Sequence, residues 1–243
     1  SNSGLSTLNM NFNTVKNITL PGTGAFTGIT NSAGIITTLN IRGNNILNNT
    51  KTSTGTMNLL AVGAPAAPCN ATISNDTITG NKINGGAAAC TINCISQTGT
   101  SFYTVNNCLI SNNSINSMSG ALVGTINGYS NQGANQVESI YNNTISNLFV
   151  TGTSTGQHLI RGITNNTGAG STRNVYGNTI FNLYTNSASS AIITGINSRP
   201  GTTVNIYKNR IYNIFPGQNA TAGNSLGKGI DVTAGTTVSI FNN

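Results

Sequence analysis

The chain has 243 residues, of which only 5% are charged, and its formal net charge is +7. So polar and glycine-rich a composition would suggest disorder, but β-branched residues recur at regular positions, which disordered chains usually lack. No apolar stretch approaches the roughly 20 residues of a membrane-spanning helix. The basic residues are scattered, with only Lys208 and Arg210 close together, so neither a membrane span nor nucleic-acid binding is predicted.

One motif recurs along the chain to its last residue. If its first residue is position 0, the copies begin at Met10, Ile41, Ile78, Ile110, Ile140, Val175, Ile206 and Ile240. At position +3 all eight copies have asparagine: Asn13, Asn44, Asn81, Asn113, Asn143, Asn178, Asn209 and Asn243. Position +5 is Val or Ile in every copy that reaches it. A drifting period with a fixed motif predicts one repeat domain over residues 1–243, with its length variation in loops.

Each repeat contains three short apolar segments that alternate with polar residues, as strands do. A Gly-Ile element such as Gly195-Ile196 comes first, a strand such as Val204-Asn205-Ile206 enters the motif, and a third segment follows the asparagine. Three strands per repeat predict an all-β parallel β-solenoid of roughly eight coils. Equivalent asparagines would then lie about 4.8 Å apart, hydrogen-bond along the stack and tolerate a left-handed bend.

Four segments are predicted loops: residues 61–69, 130–136, 151–157 and 215–227. The first contains Pro65 and Pro68 and is expected to be an excursion held by a cysteine.

The cysteines, Cys69, Cys90, Cys94 and Cys108, lie close together in the sequence. An even, local set predicts disulfides in an oxidising compartment, with the pairing open. Reduced structural cysteines are the alternative. Zinc is disfavoured because Cys90 and Cys94 have no clean second pair, and neither a metal nor a cofactor is predicted.

The Ile-x-x-Asn-x-Ile motif after a Gly-Ile strand resembles the right-handed parallel β-helix superfamily. This group includes pectate-lyase-like enzymes, phage tailspikes and many secreted bacterial surface proteins. The resemblance covers almost the whole chain and implies a right-handed, single-stranded parallel β-helix. It implies no particular activity, because the motif is structural in all of these proteins.

Acidic residues are too few for the sites of such enzymes, which use several carboxylates. The three acids are Asp76, Glu138 and Asp231. The predicted register places Asp76 and Glu138 at the same position two coils apart, near the carboxylate separation of inverting glycosidases. A Glu138–Arg173 ion pair between adjacent coils is the favoured alternative. His158, the only histidine, has no spacing that selects a catalytic triad, so no catalytic residue is predicted.

Aromatic residues form the candidate binding surface. Position +1 is Tyr141, Tyr176, Tyr207 and Phe241 in the last four copies, and further aromatic residues follow at +6 and +9. Stacked rings on the outer face could bind sugar faces or another protein. The alternative is an aromatic ladder that only stabilises neighbouring strands.

These features predict a non-catalytic, extracellular structural or adhesive β-solenoid, part of a cell-surface fibre or long surface protein. Its end coils are expected to stack head to tail or to continue a longer array, because open strand edges invite pairing. The alternatives are a polysaccharide-degrading β-helix enzyme and a glycan-binding protein.

Overall fold

The computed structural model describes residues 7–32, 37–63, 69–85, 88–99, 102–133, 137–165, 171–186, 190–199, 201–217 and 225–243. In this part of the chain all regular structure is β, and no helix is long and apolar enough to cross a membrane. The strands are β1 (Thr7–Asn11), β2 (Thr14–Lys16), β3 (Thr19–Leu20), β4 (Phe26–Asn31), β5 (Thr38–Arg42), β6 (Asn45–Leu47), β7 (Thr50–Lys51), β8 (Gly55–Val62), β9 (Asn70–Ser74), β10 (Thr77–Thr79), β11 (Lys82–Asn84), β12 (Cys90–Gln97), β13 (Phe102–Asn106), β14 (Leu109–Ser111), β15 (Ser114–Met118), β16 (Gly124–Asn131), β17 (Val137–Tyr141), β18 (Thr144–Gly152), β19 (His158–Asn165), β20 (Thr172–Tyr176), β21 (Thr179–Thr185), β22 (Ala191–Ser198), β23 (Thr203–Tyr207), β24 (Arg210–Phe215), β25 (Leu226–Val232) and β26 (Thr237–Phe241).

The strands stack in parallel into three sheets, which confirms the predicted parallel β-solenoid. Sheet A has the spatial order β1-β5-β9-β13-β17-β20-β23-β26, and sheet C has the order β25-β22-β19-β16-β12-β8-β4. Sheet B begins as two rows of short strands, β2-β6-β10-β14 and β3-β7-β11-β15, which meet at β18 and continue through β21 and β24. The predicted number of roughly eight coils is slightly too high, because sheet C has seven strands within the described residues.

The inward side chains of each strand stack into apolar columns. In sheet A, Ile140 pairs with Val175 and Val175 with Ile206, and all three are at most 1% exposed. Strand alternation places their neighbours on the outer face. Burial of these β-branched columns is the main favourable contribution to folding.

Two columns of left-handed residues produce the bends. The bend between sheets A and B contains Phe12, Gly43, Asn75, Asn107, Asn142, Gly177, Lys208 and Asn242, with φ between 52° and 66°. A second bend, inside sheet B, contains Asn17, Asn48, Gly80, Asn112, Asn147, Asn182 and Asn213, with φ between 51° and 71°. Asparagine and glycine recur here because they tolerate this conformation best.

The predicted register is wrong in the third and fourth copies. In sheet A, Ile41 pairs with Ile73, Ile73 with Val105 and Val105 with Ile140. The predicted copy starts Ile78 and Ile110 pair with each other in sheet B instead. The error has a physical cause: both bends use an inward aliphatic residue, a left-handed residue and then a buried side chain, so the same motif fits either bend.

A glycine column on the inner side of sheet C allows close packing against sheet B. A Cβ atom at Gly162 would lie 2.6 Å from the carbonyl oxygen of Gly195 and 2.8 Å from Cγ2 of Ile180. At Gly229, in the same column, a Cβ atom would meet nothing within 4 Å.

We therefore expect Gly162→Ala to lower the free energy of unfolding by about 2 kcal/mol, because overpacking displaces backbone. Gly229→Ala should be neutral or slightly stabilising, because it only reduces the entropy of the unfolded chain. Urea unfolding of the two variants measures the difference. Equal effects would show that the close approach at Gly162 is unimportant.

The predicted loops are described only in part. Residues 64–68, with Pro65 and Pro68, lie outside the described residues, as do 134–136 and 218–224. The segment 151–157 is described, and β18 extends into it as far as Gly152. Beyond the strand, the backbone N–H of Thr153 donates to Met118 O over 2.8 Å and that of Thr155 to Gly120 O over 2.7 Å. This loop therefore stacks on the loop of the preceding coil.

The predicted disulfides are wrong, because Cys69, Cys90, Cys94 and Cys108 are all free, buried thiols. Cys90 and Cys94 belong to β12 in sheet C, whereas Cys69 precedes β9 and Cys108 lies at the bend before β14. Each is a small side chain in a crowded inner position, and burial raises the pKa of all four thiols. Thiols of this kind are inert core residues. Among the described residues, no group of three or more His, Cys, Asp or Glu could hold a metal.

Candidate binding surface and ionisable groups

The asparagines of the A/B bend form a hydrogen-bonded ladder inside the protein. The backbone N–H and Nδ2 of Asn143 both donate to Oδ1 of Asn178 over 3.0 Å, and Nδ2 of Asn143 also donates to Val105 O over 3.0 Å. The same pattern links Asn178 to Asn209 and Asn209 to Asn243. One side chain per coil therefore satisfies polar groups of both neighbouring coils.

A second ladder lies at the bend inside sheet B. Asn49 donates to Oδ1 of Asn81, and Asn81 donates to Oδ1 of Asn113. The eight predicted ladder asparagines therefore do not form one column, because Asn81 and Asn113 belong to this second ladder. After Asn113 the equivalent position becomes Leu148 and then Leu183, where the two rows of sheet B merge into one strand.

Asp76 and Cys108 occupy the A/B ladder in place of Asn81 and Asn113. Oδ1 of Asp76 accepts from the backbone N–H of Asn44 over 2.6 Å and from its Nδ2 over 2.8 Å. Asp76 is buried, its Oδ2 has no hydrogen-bond partner, and burial raises its pKa to about 6. A neutral carboxyl group, which can donate from one oxygen, therefore fits this position better than a carboxylate does.

Glu138 lies inside the solenoid in a polar cluster. Asn131 Nδ2 donates to Glu138 Oε1 over 3.0 Å, and the Tyr129 hydroxyl donates to the same oxygen. Arg173 Nε lies 3.9 Å from Glu138 Oε2, which confirms the predicted ion pair between adjacent coils. Burial raises the pKa of Glu138 and lowers that of Arg173.

The predicted pairing of Asp76 and Glu138 in one column is wrong. Glu138 is in register with Tyr103 on one side and Arg173 on the other. Asp76 lies at the A/B bend in a different column, so the two carboxyl groups do not face one groove.

His158 and Asp231 also have structural contacts. His158 is buried, its Nδ1 accepts from the backbone N–H of Gly124 over 3.0 Å, and burial lowers its pKa to about 4. It is therefore neutral near pH 7. Asp231 forms a partly exposed ion pair with Lys228, with 2.9 Å between Oδ2 and Nζ.

The predicted aromatic surface is an aromatic ladder on sheet A. Neighbouring rings of Tyr141, Tyr176, Tyr207 and Phe241 stack with centroids 4.9–5.0 Å apart and planes within 6°. Both faces of Tyr176 and of Tyr207 are therefore covered by other rings. The ladder presents ring edges and hydroxyls outward, so stacking of sugars on those two ring faces is not available.

Further aromatic pairs lie on sheet B in the same half of the protein. Phe149 stacks on Tyr184 at 5.1 Å, and Phe181 stacks on Tyr212 at 5.0 Å. The Arg210 guanidinium lies 4.9 Å from the centre of the Tyr212 ring. These pairs follow strand register and stabilise neighbouring coils, as same-face pairs do in sheets.

A polar groove on the outer face of sheet C was not predicted. It has a volume of about 380 Å³ and is lined in part by Thr56, Asn58, Thr91, Asn93 and Ser96. Asn93 Nδ2 donates to Asn58 Oδ1 over 2.9 Å, so the groove contains an outward amide ladder. Amides and hydroxyls offer both donors and acceptors to a polar ligand. The signal in the sequence was the asparagine directly before the glycine position of this element in three consecutive coils, Asn58, Asn93 and Asn127.

The chain matches no family model, no curated protein and no solved structure. The assignment of the parallel β-solenoid fold therefore depends on the strand pairing of this chain alone.

Proposed function

We propose that this chain is a non-catalytic structural or adhesive β-solenoid, part of an extracellular fibre or long cell-surface protein. The observation that supports this proposal is the placement of its acid and base groups. Asp76 and Glu138 are enclosed among internal hydrogen bonds, Asp231 pairs with Lys228, and His158 is buried and neutral. General acid–base catalysis needs such groups within reach of a substrate.

We also propose that the chain forms one section of a longer solenoid of the right-handed β-helix type. The end coils support it, because Phe12 is 76% exposed, Ile240 48% and Phe241 49%. Open parallel edges beside exposed apolar residues favour a further coil on either side, from the same array or from another copy.

Polysaccharide binding is the second candidate. The polar groove of sheet C favours it, because amides and hydroxyls along Asn58, Asn93 and Thr91 can hydrogen-bond a neutral sugar chain. Polysaccharide cleavage ranks lower, because Glu138 does not line this groove.

Incubation of the chain with neutral and acidic polysaccharides tests the leading proposal. We expect neither new reducing ends nor unsaturated products, from the wild type or from Glu138→Gln. Cleavage that Glu138→Gln abolishes would overturn the non-catalytic proposal in favour of an enzyme.

The same polysaccharides, immobilised, separate the binding candidate from a purely structural role. A groove variant, Asn58→Ala with Asn93→Ala, should lose any specific binding. A variant with alanine at Tyr141, Tyr176 and Tyr207 is the control for binding by the aromatic ladder. If only the tyrosine variant lost binding, the polysaccharide would contact the aromatic ladder on sheet A. That result would contradict binding in the groove of sheet C.

A further inference from the structure

His158 replaces a backbone acceptor where the strands of sheet C begin. At this corner the backbone N–H of one coil donates to a carbonyl oxygen of the next coil. The N–H of Cys90 donates in this way to Val123 O over 3.1 Å. The N–H of His158 donates likewise to Ser190 O over 3.0 Å. The N–H of Gly124, in the coil between these two, donates instead to His158 Nδ1 over 3.0 Å. One bond between the coils of β16 and β19 therefore depends on an imidazole ring.

The imidazole ring is enclosed by protein. His158 is 0% exposed, and its Nε2 is buried without a hydrogen-bond partner among the described residues. An added Cβ atom at Gly124 would lie 3.0 Å from Val150 Cγ1 and 3.4 Å from His158 Nδ1. Val150 of β18 therefore packs beside the bond between Gly124 and His158. Because Nδ1 accepts this bond, the neutral ring carries its proton on Nε2.

The strands around the ring supply no counter-charge for a second proton. β19 packs against β16, β18, β21 and β22. As the structure describes them, these four strands contain no Asp, Glu, Lys, Arg or further His. Their titratable side chains are Tyr129, whose hydroxyl donates to Glu138, and Tyr184. Tyr184 stacks on Phe149 on the outer face of sheet B. Arg161, the charged residue of β19, is a cation and cannot offset a second one.

Protonation would convert Nδ1 of His158 from an acceptor into a donor. The N–H of Gly124 and the new N–H of the ring would then face each other, and the buried Nε2–H would belong to a cation without an acceptor. Burial accordingly lowers the pKa of His158 from its ordinary value of 6.5 to about 4. Between these values the open or unfolded chain binds more protons than the closed structure, so the junction becomes less stable as the pH falls.

We propose that the contact between His158 and Gly124 is an acid-sensitive junction of two coils, which is closed near pH 7 and whose local opening is promoted by mild acid. Opening breaks the bond from Gly124 and lets water solvate the imidazolium. The next junction makes the same kind of bond without a titrating group, because the N–H of Ala191 donates to Ser225 Oγ over 3.3 Å. Of these two junctions, the one at His158 therefore responds to pH. This inference does not depend on the proposed function.

Amide hydrogen exchange of the full chain at pH 7 and pH 5, followed by NMR, tests the proposal. Protection factors remove the pH dependence of intrinsic exchange and report local opening. His158→Asn is the reference variant, because its amide oxygen can replace Nδ1 as the acceptor and does not titrate. From pH 7 to pH 5 we expect the protection of Gly124 to fall about twentyfold more in wild type than in His158→Asn, because the two pKa values are 6.5 and about 4.

Ser225→Ala is the matched control at the next junction, and its effect on the protection of Ala191 should be the same at pH 7 and pH 5. The nitrogen chemical shifts of the wild-type ring provide a second measurement, which decides the question if His158→Asn does not fold. We expect the ring to stay neutral in the folded protein at pH 5, with its proton on Nε2. A ring that titrates near pH 6.5 in the folded protein would overturn the proposal. Equal changes in the protection of Gly124 in wild type and His158→Asn would do the same.

Discussion

Asn178→Leu should lower the free energy of unfolding by about 3–5 kcal/mol, because each buried polar group left without a partner costs about 1–3 kcal/mol. Asn178 is fully buried, and its Oδ1 accepts from the backbone N–H and Nδ2 of Asn143. Its Nδ2 donates to Ile140 O and to Oδ1 of Asn209. The substitution removes all of these bonds while nearly conserving volume.

Leucine is the appropriate replacement because the protein itself uses it. In sheet B the second ladder changes from Asn113 to Leu148 and Leu183, so the backbone of a bend accepts leucine. The loss of stability in Asn178→Leu would then measure the missing hydrogen bonds and not a change in backbone conformation.

Asn205→Ala is the matched control for Asn178→Leu. Asn205 lies on the outer face of the next coil, is half-buried, and donates one side-chain bond to Asn174 over 2.9 Å. Its replacement should cost less than about 1 kcal/mol. Urea unfolding with two probes is appropriate, because stacked coils need not unfold in one step. Similar losses in both variants would contradict a dominant role for the inner ladder.

Asp76→Asn should stabilise the protein at alkaline pH and have little effect in acid. The folded protein raises the pKa of this carboxyl group from 3.8 to about 6, mainly through burial. Between these values the folded state binds more protons than the unfolded state, so stability falls as pH rises through this window. Asparagine has no charge to lose, and its amide can donate where Asp76 Oδ2 has no partner.

The size of the pKa shift sets the expected stabilisation in Asp76→Asn. A shift from 3.8 to about 6 corresponds to at most about 3 kcal/mol, reached above pH 6 and absent below about pH 4. Cys108, the next residue in the column, does not titrate in this range, because burial and then the charge of Asp76 raise its pKa to about 12.

Chemical unfolding of wild type and Asp76→Asn from pH 4 to pH 8 measures the difference. Asp231→Asn, at a partly exposed carboxylate that pairs with Lys228, is the control for the removal of one carboxylate. If wild type and Asp76→Asn differed by the same amount at every pH, Asp76 would not be the group that titrates.

The contacts that stabilise this solenoid lie mainly on its inner face. The inner ladders, the Glu138 cluster and the glycine column connect coils to one another. The outer face of sheet C contains the polar groove, whose asparagines hydrogen-bond along the stack and still offer amide atoms to solvent. Variants at these outer positions should therefore change binding with little change in stability.

The sequence by itself determined the parallel β-solenoid, the inward aliphatic columns and the presence of asparagine ladders. These features follow from local chemistry: alternation places every second side chain inside, and a left-handed bend selects asparagine or glycine. The ion pair of Glu138 with Arg173 was also predictable, because both residues lie in copies whose register was correct.

Only the tertiary structure decided which bend each motif belongs to. An aliphatic residue followed by a buried asparagine suits both bends, so Ile78-Thr-Gly-Asn81 could not be distinguished from its counterpart ending at Asp76. The free cysteines and the covered faces of Tyr176 and Tyr207 depend in the same way on which residues stack in adjacent coils. That stacking joins residues about thirty positions apart, and pairing at this range depends on register, which a local pattern does not specify.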